Sequence, residues 1–219
     1  MRLVDLTLPV QPHWRFQFEA VSQRSGPATA TRISLLTHAF THADAPSHMI
    51  PGGAALDQVP LDRFWGEAAV LDLDDTADSE AITAERLARA GHLRRGDVAL
   101  LRSGLELRHP IGSREFWTRS PYLDRGAAAW LRDAGVKAVG YDFPQDEVIR
   151  RLPDPELRLS DFPAHEVLLG AGIVQVEYLV NLHRLREPRV LFFALPLALG
   201  ALDGSPVRAV ALEGEFERA

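Results

Sequence analysis

Residues 37–49 read Thr37-His38-Ala39-Phe40-Thr41-His42-Ala43-Asp44-Ala45-Pro46-Ser47-His48-Met49, and more of the chain's character follows from this stretch than from any other. Four groups that bind metals or move protons, His38, His42, Asp44 and His48, fall within it, all at even positions. In extended backbone, side chains two apart share a face, so His38, Phe40, His42 and Asp44 are expected to point the same way. Two imidazoles and a carboxylate on one face form a ligand set suited to zinc, manganese or iron. The run is expected to stop at Ala45, because a residue before proline is held away from the helical region. Apolar residues flank it at 33–36 and 49–50. Polar groups buried there without partners would cost several kcal/mol, a cost that a cation removes. His38, His42, Asp44 and a water would make an open metal site, and the second oxygen of Asp44 could bridge to another ion.

Further along, His165 is expected in the first turn of a helix capped by Asp161, with Pro163 at a favoured early position. Glu177 stands in the apolar run Ile173-Val174-Gln175-Val176-Glu177-Tyr178. A glutamate there is either paired or coordinated, or else faces solvent from an edge strand. His13, His92, His109 and His183 carry no such context and are read as ordinary surface or core histidines.

Outward from these motifs, strands are expected at 3–10, 29–44, 67–73, 97–102, 136–141, 173–179, 189–195 and 207–212. Residues 11–28 read as a loop or short hairpin. Helices are expected at 84–90, capped by Thr83, and from Asp124 through Ala134, closed by Gly135. Strands outnumber helices and interleave with them, which predicts a single α/β domain over 1–219 with a mixed sheet.

The 219 residues suit one domain and bury roughly 70% of their unfolded surface, enough to need no disulfide staple. There is no cysteine, which excludes thiol catalysis and leaves any metal to His, Asp and Glu. The net charge of -6 argues against nucleic acid as a partner. Lys137 is the sole lysine, so a lysine nucleophile has only one candidate position. No apolar run reaches the ~18 residues a membrane span needs. The N-terminus alternates as a strand does and lacks the run of a signal peptide, so a soluble cytoplasmic protein is expected.

The pattern His-x-x-x-His-x-Asp-x-Pro-x-His from His38 to His48 resembles the metal-dependent cyclase and kynurenine formamidase superfamily. His165 and Glu177 look like that family's later ligands, within Asp161-Phe162-Pro163-Ala164-His165 and Val176-Glu177-Tyr178-Leu179. Gly140-Tyr141-Asp142-Phe143-Pro144, Leu195-Pro196-Leu197 and Gly204-Ser205-Pro206-Val207-Arg208-Ala209 are similar to further family segments, so the resemblance spans most of the chain. It implies a barrel-like β core with peripheral helices, and a homodimer or homotetramer. It further implies two divalent ions per subunit, Zn²⁺ or Mn²⁺. One would be held by His38, His42, Asp44 and Glu177, the other by Asp44, His165 and Glu177, with His48 as the general acid/base. The chain departs from the formamidase proper in two places: Phe40 stands where that enzyme usually has glycine, and Pro12-His13-Trp14-Arg15-Phe16 replaces a Pro-Gly-Asp turn near a tryptophan.

The reaction expected is hydrolysis of a linear or cyclic amide, such as an arylformamide, an isatin-like lactam or an imide, by metal-activated water. His48 would protonate the departing nitrogen, or else serve as a further ligand. Trp14, Phe16, Phe40 and Trp65 are candidates to line a pocket for a flat aromatic or cyclic small-molecule substrate, or to be simple core. Asp142 and Gln145 are expected to orient ligands, and 102–104 to approach substrate. The alternatives are a lactone or other cyclic-ester hydrolase, a dehydratase or isomerase on the same site, and a metal-stabilised binding module without turnover.

Overall fold

Four apolar runs of the sequence lie side by side as parallel strands, and antiparallel strands extend them on both flanks. A computed structural model describes residues 1–214. Its strands are β1 (Arg2–Asp5), β2 (Phe18–Ser25), β3 (Ala28–Leu35), β4 (His42–Asp44), β5 (Trp65–Asp72), β6 (Ala81–Ile82), β7 (Val98–Arg102), β8 (Tyr122–Leu123), β9 (Ala138–Tyr141), β10 (Val174–Glu177), β11 (Arg189–Phe193), β12 (Gly204–Pro206) and β13 (Val210–Glu213). Its helices are α1 (Ala84–Ala90), α2 (Leu105–Arg108), α3 (Arg114–Thr118), α4 (Arg125–Ala134) and α5 (Pro163–Gly170). The nine-stranded sheet runs β1-β13-β11-β5-β7-β9-β10-β4-β12, with β5, β7, β9 and β10 parallel at its centre.

The sheet curls. Leu6, just past β1, donates its N–H to Ala209 and accepts from Val180, and Thr7 bridges to Leu179 beyond β10. Period-two alternation then sorts the side chains into two cores. Val4, Ala43, Ala68, Leu100, Val176 and Phe192 fill the inside of the curl, and the alternate positions Ala69, Leu71, Leu101 and Tyr141 meet α1, α4 and α5 outside it. This is the mixed, barrel-like α/β architecture expected above, as a half-barrel rather than a closed one. Thr83 caps α1 through Arg86 N–H and Asp124 caps α4 through Ala127 N–H, as the sequence predicts.

Two local expectations are corrected. Residues 29–44 are not one strand: β3 ends at Leu35, the chain turns, and only His42–Asp44 pair in the sheet. Asp161 does not cap α5 but accepts the N–H of Arg158 within a short turn of its own. In the first case the turn depends on Phe40, whose φ of 59° is left-handed. Thr41 fixes the end of the turn: its hydroxyl accepts Leu8 N–H at 2.8 Å and donates to the Tyr178 carbonyl at 2.7 Å.

A left-handed phenylalanine costs about 1–2 kcal/mol of backbone energy. Its buried ring, 4.9 Å from Phe16 centroid to centroid, contributes more, since deleting a core phenylalanine costs about 3–5 kcal/mol. Phe40→Gly is therefore expected to relax the turn and still lose roughly 2–3 kcal/mol net, read as a lower urea midpoint; a gain in stability would contradict this balance.

Candidate metal centre

In β4 the central residue Ala43 faces the inside of the curl, which turns His42 and Asp44 to the outer, helix-covered face. Strand register brings β10 alongside, Glu177 opposite His42 and Gln175 opposite Asp44. On the other side Gly204 lies opposite Asp44. His165 is added from α5, and the turn before β4 returns His38 to the same spot. His38 and His42 thus meet through a turn and not through strand alternation, their rings 5.1 Å apart and nearly perpendicular.

Asp44 is completely buried at the middle of the cluster. Its Oδ1 lies 2.7 Å from His38 Nδ1 and 3.2 Å from His42 Nε2. Its Oδ2 lies 3.6 Å from His165 Nε2 and has no hydrogen-bond partner. Glu177 lies 3.1 Å from His165 Nε2 and 3.8 Å from His42 Nε2, and also accepts from the Gln145 amide. The outer nitrogens of these imidazoles are tied. His42 Nδ1 donates to the Phe40 carbonyl at 2.8 Å, His38 Nε2 meets Asp203 at 2.9 Å, and His165 Nδ1 meets Asp146 at 2.5 Å. The remaining nitrogens of His42 and His165 face both carboxylates, and that of His38 faces Asp44. That pattern, an outer N–H held by an acceptor and an inner lone pair turned inward, orients histidines as metal ligands. The orphaned Asp44 oxygen and the donor set both fit divalent cations. His42, Asp44 and Glu177 form one group whose ligand atoms lie within 4.8 Å of one another, and His38, Asp44 and His48 form another.

Electrostatics separates the histidines. Burial disfavours charge on His38, yet Asp44 and Asp203 outweigh it and push its pKa up to about 9. Burial opposes charge on His165 too, but Asp146, Asp44 and Glu177 hold it well above the ordinary value. Asp44 resists the upward push of burial because His42, His165 and His38 surround it, and its carboxyl lies well below the usual range. His48 moves the other way: burial lowers its pKa, and neighbouring His38 and His165 add to that against the pull of Asp44. His48 stacks on His38 at 3.7 Å, with Nδ1 3.9 Å from Asp203.

The cluster opens into a cavity of about 650 Å³. His38, His42, His48, His165 and Glu177 reach it, among mostly apolar walls that include Trp14, Phe16, Phe162 and Tyr178. All six residues expected to handle metal or protons are thus brought together. Of the expected substrate contacts, Trp14 and Phe16 line the cavity. Phe40 does not, because its left-handed backbone turns the ring into the aromatic core against Phe16 and Phe18. Trp65 is elsewhere, stacked on Phe193 at 5.9 Å. Gln145 does touch His165 and Glu177. Asp142 instead accepts from Ser103 and Gly104 and pins the end of β7, so neither it nor 102–104 reaches the cavity.

Two residues escaped the sequence reading. Asp146 accepts the N–H groups of Ala164 and His165 as well as the ring, so it caps α5 from outside while orienting its histidine. Its one signal was position, four residues beyond Asp142 at a strand exit. Asp203 accepts from Thr37 and meets His38 across a separation of 165 residues, for which no local pattern exists.

Known proteins share both the sequence and the fold. The kynurenine formamidase of Salinibacter ruber (strain DSM 13855 / M31) is 32% identical over 222 residues, covering 96% of this chain and 97% of its own. Isatin hydrolase A from Labrenzia aggregata, solved with benzyl benzoate, matches with a TM-score of 0.79 and 25% identity over 98% of this chain and 94% of its own. A potential metal-dependent hydrolase with cyclase activity matches with a TM-score of 0.77 and 26% identity, over 98% and 99% of the two chains. The sequence and fold are those of a hydrolase. Residues 4–147 match the family described as "Putative cyclase", and the chain belongs to that Cyclase family.

Gly204 matters to the cluster because a Cβ there would meet the Ala43 carbonyl at 2.8 Å and His38 Cε1 at 2.7 Å. The sheet backbone cannot yield, so Gly204→Ala should displace the His38 ring. We expect divalent-cation affinity to fall roughly 10- to 100-fold, the range for disturbed ligand support. Titration with Zn²⁺ or Mn²⁺ measures it, and unchanged affinity would show that His38 adapts.

Proposed function

We propose that this protein is a metal-dependent amide hydrolase that cleaves the carbon–nitrogen bond of a linear or cyclic aryl amide, with His48 as general acid and base. The observation that carries this reading is the buried Asp44 oxygen without a partner, facing imidazoles whose outer nitrogens are tied. The relatives named a kynurenine formamidase and an isatin hydrolase support amide substrates of both the linear and the cyclic kind. His38, His42, Asp44 and Glu177 would hold one ion, and Asp44, His165 and Glu177 a second, with the two carboxylates shared. Zinc or manganese suits this nitrogen and oxygen set.

A bound divalent cation would supply two things, a water acidified toward neutral pH and a polarised carbonyl. The protein supplies the rest. His48, with its pKa lowered, is neutral near pH 7 and can take the proton of the attacking water as the oxygen bonds to the carbonyl carbon. It returns that proton to the nitrogen as the carbon–nitrogen bond breaks. Asp203, beside His48 Nδ1, favours the imidazolium formed in between. Trp14, Phe16 and Phe162 offer apolar surface to an aromatic ring and keep bulk water from the reacting bond.

Among the described residues the ribbon of β2 and β3 pairs only with itself, and it is exposed along most of its length. A lone two-stranded ribbon is marginal in water, which supports a homodimer or homotetramer.

His48→Ala is expected to retain its metal and lose about 10²- to 10⁴-fold in kcat, the usual worth of a positioned acid/base. Metal analysis beside kinetics decides this, since loss of the ion would make His48 a ligand. The reaction itself is tested on protein loaded separately with Zn²⁺ and Mn²⁺, against aryl formamides, cyclic imides, isatin-like lactams and lactones. Turnover of lactones alone, or of nothing, would overturn the amide reading.

Metal binding should also release protons, because His38 and His165 are held protonated by the carboxylates that a cation would share. These groups lose their protons as pH rises, so affinity should be weaker at pH 6 than at pH 8. Calorimetry in two buffers of different ionisation enthalpy reads the released protons; a pH-independent affinity would contradict the ligand assignment.

A further inference from the structure

One arginine stands in the cavity wall, and the hydrolytic step has no use for it. Arg15 lines the cavity beside Trp14 and Phe16, and it is the sole arginine or lysine among the described lining residues. Its guanidinium carbon lies 4.3 Å over the Trp117 ring, and Nη2 donates to the Ile149 carbonyl at 3.0 Å. Among the described residues no carboxylate lies within 4.0 Å of it, although most other arginines of the chain have such partners. Nε and Nη1 have no protein acceptor and are not sealed within the protein.

The side chain is held in place from several directions. The N–H of Arg15 donates to His13 Nδ1, whose other nitrogen bonds the Ile111 carbonyl, and Trp14 bonds the Gly112 carbonyl at 2.8 Å. A guanidinium has five N–H donors in a rigid fork, and one carbonyl occupies only one of them. At least one two-donor edge is therefore left, in the geometry that matches a carboxylate. Burial is the largest effect on this half-buried charge, and the Glu177 carboxylate across the cavity offsets it only in part, from beyond ion-pair distance, so an anion arriving with the ligand would offset the rest.

We propose that Arg15 is a specificity residue, and that the preferred substrate is an aryl amide bearing a carboxylate, which Arg15 receives while the amide lies at the histidine–carboxylate cluster. This rests on the amide-hydrolase reading and narrows it to anionic members of that class. The aromatic walls hold the ring, the cluster holds the scissile bond and Arg15 fixes the ring's orientation between them.

The test compares kcat/KM for 2- and 3-formamidobenzoate with that for formanilide, in the metal-loaded wild type, Arg15→Gln and Arg15→Lys. A charge-assisted pair is worth roughly 10- to 100-fold in recognition. The wild type should favour at least one of the two carboxylates over formanilide, and Arg15→Gln should cut that ratio by about this factor, mostly through KM. Arg15→Lys, which keeps the charge and loses the fork, should retain part of it. If both variants slow all three substrates equally, so that the ratio stands, Arg15 only supports the loop and the proposal falls. Calorimetry with benzoate, which has no amide, separates the two readings. Binding that weakens in Arg15→Gln while metal content is unchanged supports the anion site even if no amide is cleaved. Benzoate binding that ignores the substitution places the carboxylate on the metal and overturns the proposal.

Discussion

The arrangement depends on one buried carboxylate. Asp44 loses all its water in the fold, and an ionised group so placed is stable only if neighbours replace what water supplied. His38 and His42 supply one oxygen, and His165 approaches the other. A second carboxylate, Glu177, stands in the same buried space and adds repulsion that the imidazoles must also offset. Without cations the cluster therefore holds protons on histidines that would otherwise be neutral. The inner nitrogens and carboxylate oxygens already converge, as a cation would require. The acceptors outside the ring of histidines, Asp203, Asp146 and the Phe40 carbonyl, keep it that way by fixing which nitrogen points inward.

Opposed pKa shifts separate two neighbouring histidines. His38 and His48 stack face to face, yet His38 is pushed up and His48 down. The difference is one of contact: His38 touches two carboxylates directly, whereas His48 feels burial and two neighbouring imidazoles. A histidine held by carboxylates suits a ligand position, and one left neutral at the cavity wall suits proton transfer. Environments that split like residues in this way are how a site assigns its roles.

What could be read in the sequence was what repeats locally. The apolar runs at β5, β7, β9 and β10 announced themselves, as did the caps at Thr83 and Asp124, because each signal lies within a few residues. The motif from His38 to His48 was legible as a donor set and misread as a geometry. Even spacing suggested one strand face, while the chain turns at Phe40 and reaches the same convergence by another path. A left-handed residue of this kind is invisible when it is phenylalanine and plain when it is glycine, so the substitution hid the turn. Asp203 was beyond reach, since only the curl of the sheet sets it against His38. Trp65 was misplaced because an aromatic side chain says nothing of which sheet face or edge it will occupy.

That same turn ties the candidate metal centre to the cavity wall. His38 precedes Phe40 by two residues and His42 follows it by two, so the left-handed bend sets the distance between two candidate ligands. Its ring anchors Phe16, which lines the cavity beside Arg15 and packs in turn on Trp117, the residue beneath the guanidinium. The chain Phe40–Phe16–Trp117–Arg15 is one continuous packed unit, and close-packed interiors transmit displacement rather than absorb it. Glycine at this bend would accept the left-handed turn without strain but would remove the ring on which Phe16 rests. The choice of residue at this position can therefore leave the candidate ligands in place while changing the cavity wall that a ligand would meet.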